Sequence, residues 1–150
     1  MKRIFLFPIA VLMVGTLHAQ WSYKTVKNGF DKPYKVAYTP GNNGAEAYML
    51  FVDSAVVLEI SGGYYCDEEP KVDVALVVNG VENKFEFEGY KGSSSDVVYI
   101  TWDMELHPEF LNAFKLASRM RVRINESKCD SSVYEYKMTN AKAAFNYIRN

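Results

Sequence analysis

The strongest constraint on how this chain can fold is a pair of alternating segments that meet at Asn79-Gly80. Apolar residues occupy every second position of residues 71–78 and recur at two alternate positions of residues 81–88. Alternation with a period of two is typical of strands with one buried face. Asn-Gly is the preferred pair for a tight hairpin turn, because both turn positions require a positive φ. The sequence therefore predicts a β-hairpin over residues 71–88.

Similar short apolar runs fill most of the remaining chain. The other predicted strands cover residues 34–39, 46–53 and 55–60 (as one bent strand or as two), 96–102, 120–124 and 133–138. Most connections between them are short, which suits antiparallel pairing. The repeated strand-helix-strand alternation of a doubly wound parallel sheet is absent from the sequence.

Two segments change to a helical period. Residues 108–118 begin with Pro108, which suits a first helical turn, and they place Phe110 and Phe114 on one face. Asn140 is the predicted N-cap of a final helix. The predicted fold class is therefore mainly β (α+β). We expect an antiparallel β-sandwich or partly open barrel of seven or eight strands, with one or two helices packed near the C-terminus.

The first nineteen residues have the pattern of a secretory signal peptide. Lys2 and Arg3 precede an apolar run over residues 4–15, and Ala19 supplies the small residue of a cleavage site. A helix over this run would span about 18 Å, too little for a bilayer core of about 30 Å. The alternative is a buried N-terminal strand. We expect cleavage after residue 19, no stable membrane insertion afterwards, and a single β-rich domain over residues 20–150 that is periplasmic or secreted.

The two cysteines, Cys66 and Cys129, both lie in the part that is predicted to be exported. An even cysteine count in an oxidising compartment predicts a disulfide between them. The alternatives are two separate buried thiols or a reactive cysteine. A reactive cysteine is disfavoured because His107 is the only histidine outside the predicted signal peptide, which leaves few bases to activate a thiol.

Charge and motifs argue against several classes of function. Lys and Arg total 17 against 18 Asp and Glu, so no positive field attracts nucleic acid. The 49% hydrophobic content indicates a packed core and not a disordered chain. No P-loop, dinucleotide-binding, nucleophile-elbow or metal-binding motif occurs in the sequence. The sequence therefore predicts no catalytic residues and no cofactor or metal.

Two acidic residues form a candidate catalytic pair. Asp103 and Glu105 flank Met104 beside Trp102, and two carboxylates near a tryptophan are typical of glycosidases. The alternative is a solvated loop before the helix, in which His107 marks the helix start. We favour the loop.

Three arginines, Arg119, Arg121 and Arg123, alternate along one predicted strand and therefore share one face. Guanidinium groups at this spacing could bind a phosphate, a sulfated glycan or carboxylates of a partner. The alternative is a solvated face on which they pair with Glu135 of the next strand. All three arginines are candidate partner-binding residues.

The segment from Tyr64 to Pro70 joins two tyrosines, Tyr64 and Tyr65, to an acidic run beside Cys66. Exposed tyrosines provide contact area at low entropic cost, so both are candidate partner-binding residues. The alternative is that the aromatic rings shield the disulfide while the acids face water.

The order of features in residues 96–148 resembles a loose family of small exported bacterial proteins. A strand ends at Trp102, Phe110 and Phe114 follow on a helix, and residues 120–124, 134–136 and 143–145 continue the pattern. The chain is similar in this respect to invasion-associated locus B-like proteins and to the type VI secretion-associated periplasmic proteins related to them. The resemblance implies a periplasmic β-rich accessory protein and carries over no catalytic residues.

The predicted function is that of an exported, non-enzymatic binding or accessory protein of the bacterial cell envelope. Its partner would be a protein or an envelope component, and not nucleic acid. One alternative is an inhibitor of a secreted lysozyme or protease that inserts the loop from Tyr64 to Pro70. A less favoured alternative is a small glycan-acting enzyme that uses Asp103 and Glu105.

Overall fold

Nine strands form one antiparallel sheet in a computed structural model that describes residues 21–27 and 32–150. The strands are β1 (Ser22–Val26), β2 (Tyr34–Pro40), β3 (Glu46–Val52), β4 (Ala55–Ser61), β5 (Lys71–Val78), β6 (Val81–Lys91), β7 (Val97–Asp103), β8 (Arg119–Asn125) and β9 (Ser132–Lys137). Their order across the sheet is β1-β2-β3-β4-β7-β6-β5-β8-β9. The predicted signal peptide, residues 1–19, lies outside the described residues.

The predicted hairpin is present as β5 and β6. Asn79 and Gly80 both have positive φ, 51° and 80°, and Val78 lies opposite Val81 across the turn. The alternate side chains of β5 point into the core, where Val72, Val74 and Leu76 are fully buried. The turn residues and the apolar period thus specify the same register.

The described residues form nine strands, one more than the upper limit of eight that the sequence predicts. The additional strand is β1, four of whose five residues are exposed, so it carries no apolar alternation. It forms because β2 offers it a pairing edge, which a local pattern does not reveal. The apolar stretch before Ser61 is two strands, since Asp53 and Ser54 both have positive φ and turn the chain back.

The sheet bends sharply along β6. Residues Val81–Glu88 pair with β5, whereas Gly89, Tyr90 and Lys91 pair with β7. A Cβ at Gly89 would lie 2.8 Å from the Val72 side chain and 3.0 Å from a backbone oxygen, so only glycine permits this approach. At the opposite corner, Gly41 after β2 forms a bridge to Tyr136 of β9. The sheet therefore wraps around its core, with β1 and β9 as edges.

Two helices, α1 (Pro108–Leu116) and α2 (Ala141–Arg149), pack into the core on the inner face of the sheet. Asn140 precedes α2 with a positive φ of 64°, and its side chain does not cap the helix. The prediction of a mainly β, antiparallel fold with helices near the C-terminus is confirmed. Within the described ranges, neither helix is long and apolar enough to cross a bilayer.

Candidate functional site

Cys66 and Cys129 lie at disulfide distance, with Cα atoms 6.0 Å apart. The Glu126 side chain also holds this loop, because its Oε1 accepts hydrogen bonds from the amides of Cys66 and Asp67. On the other side, Lys91 Nζ lies 2.6 Å from a Glu68 carboxylate oxygen. The segment after β4 is therefore fixed to the β8–β9 connection by covalent and hydrogen-bonding contacts, and to the end of β6 by an ion pair.

The two candidate tyrosines of this segment have opposite environments. Tyr64 is 72% exposed. Tyr65 is only 1% exposed, and its hydroxyl lies 3.2 Å from that of Tyr134 inside the core. Burial raises the pKa of the Tyr65 phenol above its usual value, and the contact with Tyr134 adds to this. The expectation that Tyr65 is accessible to a partner is therefore wrong, and only Tyr64 presents a contact surface.

The three candidate arginines share one face of β8, as their spacing predicts. Arg121 Nε and Nη2 lie 2.9 Å and 2.8 Å from the same Glu135 oxygen, and Nη1 lies 3.8 Å from a Glu82 oxygen. Arg119 and Arg123 flank Arg121 and are exposed. The middle guanidinium is thus engaged within the protein, while its two neighbours remain accessible.

Asp103 and Glu105 form a turn. The amide of Glu105 donates a 2.7 Å hydrogen bond to Asp103 Oδ1, which is the usual role of aspartate at the start of a loop. His107 lies at the N-cap of α1, and its ring packs edge-on against Phe87. Within residues 21–27 and 32–150, no three His, Cys, Asp or Glu side chains gather closely enough to hold a metal ion.

The outer face of the sheet, which is turned away from the core, differs in its two halves. Over β5, β6, β8 and β9 it carries the charged side chains expected of a solvated face. Over β2, β3, β4, β7 and the end of β6, one row of directly opposed residues is mainly aromatic. Its members are Tyr38, Tyr48, Glu59, Tyr99 and Tyr90. Five adjacent strands at about 4.8 Å spacing make this row about 19 Å long.

The adjacent row, two residues further along the same strands, forms the floor of a depression with a volume of about 590 Å³. This floor consists of Val36, Leu50 and Val57, which lie opposite one another on β2, β3 and β4. Val36 is only 4% exposed although it faces away from the core, because larger side chains surround it. We call this depression, together with the Tyr38 ring that stacks on Tyr48, the tyrosine cleft. Its walls carry Tyr34, Tyr48, Tyr99, Lys24, Glu59 and Asp96.

The charged groups of the tyrosine cleft influence one another. Burial raises the pKa of Glu59, nearby Lys24 lowers it, and Asp96 raises it. Burial also raises the pKa of Tyr99, and the charge of Glu59 adds to that effect. Lys24 Nζ lies 4.8 Å from the centroid of the Tyr48 ring. The tyrosine cleft therefore combines an apolar floor, hydroxyl groups and a half-buried carboxylate, which together can bind a ligand with both apolar and charged parts.

One prediction concerns the Tyr48 phenol. Its hydroxyl donates a hydrogen bond to Glu46, and this bond, with burial, raises the pKa of Tyr48 to about 12. An unfolded tyrosine ionises near pH 10. The protonated Tyr48 hydroxyl therefore makes its full contribution to the free energy of unfolding below pH 10, and this contribution is lost as the pH rises toward 12. We expect Glu46→Gln to lower the pKa of Tyr48. The measurement is ultraviolet difference titration of each protein against its Tyr48→Phe counterpart.

Glu82→Gln, on the charged half of the outer face, is the matched control for that titration. It removes one carboxylate that does not contact Tyr48. An unchanged Tyr48 titration in Glu46→Gln would show that the hydrogen bond does not control this phenol.

The tyrosine cleft was not predicted from the sequence. Its aromatic residues stand at the alternate positions of each strand whose side chains face solvent, where charged residues are expected. Tyr38 and Tyr48 are opposite partners on neighbouring strands, and their rings stack at 5.5 Å. The sequence does contain a signal for it: aromatic residues stand at those alternate positions of the predicted strands that should face solvent. Gathering them into one cleft also requires the strand order, which places β4 beside β7.

Comparison with known proteins adds no family to this description. The chain matches no family model, and neither the curated proteins nor the solved structures include one that is significantly similar to it.

Proposed function

We propose that this protein is an exported, non-enzymatic binding protein of the bacterial cell envelope, and that the tyrosine cleft contacts its protein or envelope partner. The observation that carries this proposal is the row of directly opposed residues in which four of five adjacent strands place a tyrosine on the solvent-facing side of the sheet, where charged residues are expected. Tyrosine is enriched in interfaces because its ring buries large area and its hydroxyl stays hydrogen-bonded. Exposed apolar patches on soluble proteins commonly mark interaction sites.

Export is supported by two independent features. Residues 1–19 have the basic, apolar and small-residue order of a signal peptide. The distance between Cys66 and Cys129 suits a disulfide, which persists in oxidising compartments such as the periplasm. The resemblance of residues 96–148 to invasion-associated locus B-like and type VI secretion-associated periplasmic proteins agrees with the same location. We therefore propose a periplasmic or secreted accessory protein.

A non-enzymatic role is favoured by the position of the candidate acids. The Asp103 carboxylate already accepts a hydrogen bond from the Glu105 amide, so it acts as a turn former. Tyr64 fits the binding role because its side chain is 72% exposed. Arg119 and Arg123 lie on the charged half of the outer face and would make a second contact surface.

The proposal can be tested by site-specific photo-crosslinking in the native bacterium. A photoreactive phenylalanine analogue at Tyr99, in the tyrosine cleft, is expected to give one discrete crosslinked species in the envelope. The matched control places the same analogue at Val133, which is exposed on the charged half of the outer face. The Tyr99 product should disappear when Tyr48→Ala is added, because that change removes a wall of the tyrosine cleft.

Crosslinking from Val133 but not from Tyr99 would move the interface to the arginine-bearing face. Crosslinking from neither position would contradict a binding function for the outer face. Secretion of the protein without cleavage near residue 19 would contradict the proposed leader.

A second candidate function is inhibition of a secreted hydrolase. It is favoured by the segment from Tyr64 to Pro70, which presents an exposed tyrosine on a loop that Cys66 and Glu126 hold in place. A rigid projecting loop loses little entropy when it enters an active site. Inhibition of a lysozyme or protease at micromolar protein, abolished by Tyr64→Ala but retained by Tyr48→Ala, would select this function.

A further inference from the structure

We propose that the tyrosine cleft binds a lysine side chain of a partner protein, beside or in place of Lys24. This inference rests on the proposed binding function and names the chemistry of the ligand. Lys24 shows the type of group that the tyrosine cleft accepts. Its ammonium lies 5.3 Å and 4.8 Å from the ring centroids of Tyr38 and Tyr48. A cation at this distance from an aromatic ring is attracted by the negative face of the ring.

The charges around these rings favour a cation over an anion. Glu59 and Asp96 line the tyrosine cleft, and Glu46 accepts the hydrogen bond of the Tyr48 hydroxyl. Two carboxylates thus line the tyrosine cleft and a third lies beside Tyr48, whereas Lys24 is the one ammonium among the described lining residues. A phosphate or carboxylate ligand would be repelled, whereas a second ammonium would be attracted.

The floor suits the rest of a lysine side chain. Leu50 and Val57 are apolar, partly exposed and directly opposed, so they can cover the four-carbon stem of a lysine and an apolar neighbour. About 590 Å³ stays open with Lys24 in the wall, which leaves room for a ligand side chain. A partner segment with a lysine between apolar residues matches this arrangement.

The ring geometry favours a polypeptide over a sugar. Tyr38 and Tyr48 stack on each other at 5.5 Å with an angle of 23° between their planes. Their faces are turned toward one another, so they do not form the flat platform on which a pyranose ring stacks. An ammonium needs no such platform, since it can lie beside both rings as Lys24 does.

Lys24 is a replaceable occupant. It lies on the edge strand β1 and is exposed, so its ring contacts are those of a surface side chain. Its positive charge repels an incoming ammonium and partly neutralises Glu59. Removing the Lys24 side chain should therefore strengthen the binding of a lysine ligand, whereas removing the Glu59 charge should weaken it.

The experiment is isothermal titration calorimetry of the exported protein with a terminally blocked peptide that carries one lysine between valines. Matched peptides carry glutamine or glutamate in place of the lysine. We expect the glutamine peptide to bind about tenfold more weakly than the lysine peptide. Lys24→Ala should raise the affinity for the lysine peptide about threefold, and Glu59→Gln should lower it about tenfold. Lys84→Ala, an exposed lysine on the charged half of the outer face, should change nothing.

Equal affinity for the lysine and glutamine peptides would overturn the inference. Weaker lysine-peptide binding by Lys24→Ala would overturn it as well, because Lys24 would then be a contact and not a competitor. Circular dichroism of each variant establishes that it is folded. If the protein binds a chitosan oligosaccharide but no lysine peptide, the inference is overturned and the tyrosine cleft binds an amine-bearing glycan instead. If crosslinking from Tyr99 succeeds while no lysine peptide binds, the binding function stands and only the ligand chemistry is overturned.

Discussion

Replacing Phe110 by alanine is expected to lower the free energy of unfolding by about 4 kcal/mol, since removing a buried phenylalanine typically costs 3–5 kcal/mol. Phe110 is fully buried on α1. Its ring centroid lies 5.0 Å, 4.9 Å and 4.8 Å from those of Phe85, Phe87 and Trp102, all in edge-to-face geometry. The variant therefore loses both its buried area and three edge-to-face aromatic contacts. Urea denaturation, followed by the midpoint and slope, measures the change.

The surrounding structure limits how far this cavity can collapse. The Phe85 and Phe87 side chains are held on β6 by its pairing with β5, while Trp102 is held on β7 by its pairing with β4. Leu116→Ala on the same helix is the matched control, because Leu116 is 66% exposed. We expect that control to change stability by less than about 0.5 kcal/mol. A loss below about 2 kcal/mol for Phe110→Ala would mean that the aromatic cluster closes over the missing ring.

The elements that could be predicted from the sequence are those in which every signal is local. At Asn79-Gly80 the turn residues and the flanking apolar period lie within one short segment, and they specify one register. Helix α1 was predicted for the same reason, since Pro108, Phe110 and Phe114 indicate its start and its buried face. Strand β1 has no such local signal, because four of its residues face solvent. Its pairing with β2 decides its conformation.

The tyrosine cleft was not predicted because its position depends on contacts between distant segments. Glu59 and Tyr99 become direct neighbours only through the pairing of β4 with β7, which a strand order read along the chain does not supply. The contrast between Tyr64 and Tyr65 has a related cause. Their loop has no period, and the inward position of Tyr65 requires a glycine at Gly63, because a Cβ there would lie 2.7 Å from the Tyr65 ring and would also meet the Tyr134 hydroxyl.

Replacing both Cys66 and Cys129 by serine is the second change for which we expect a large effect. The two residues are 63 positions apart, and a crosslink over a loop of that length stabilises the fold by about 4 kcal/mol in the chain-entropy model. Most of this effect comes from the unfolded chain, which gains freedom when the crosslink is removed. The double variant should therefore keep the native circular dichroism spectrum while its urea midpoint falls.

Glu126 explains why the native loop should survive the loss of the disulfide. Its carboxylate still accepts hydrogen bonds from the amides of residues 66 and 67, and Ser127 Oγ still lies 3.1 Å from Asp67 Oδ1. The matched comparison is Glu126→Ala with the cysteines intact. This change acts on the folded state, because it leaves two backbone amides without their acceptor. We expect it to lower the free energy of unfolding by about 1–3 kcal/mol. Mass spectrometry of unreduced, alkylated protein should show a peptide that joins Cys66 to Cys129. Free thiols at both positions, or a urea midpoint that a reducing agent does not change, would show that the chain folds without this crosslink.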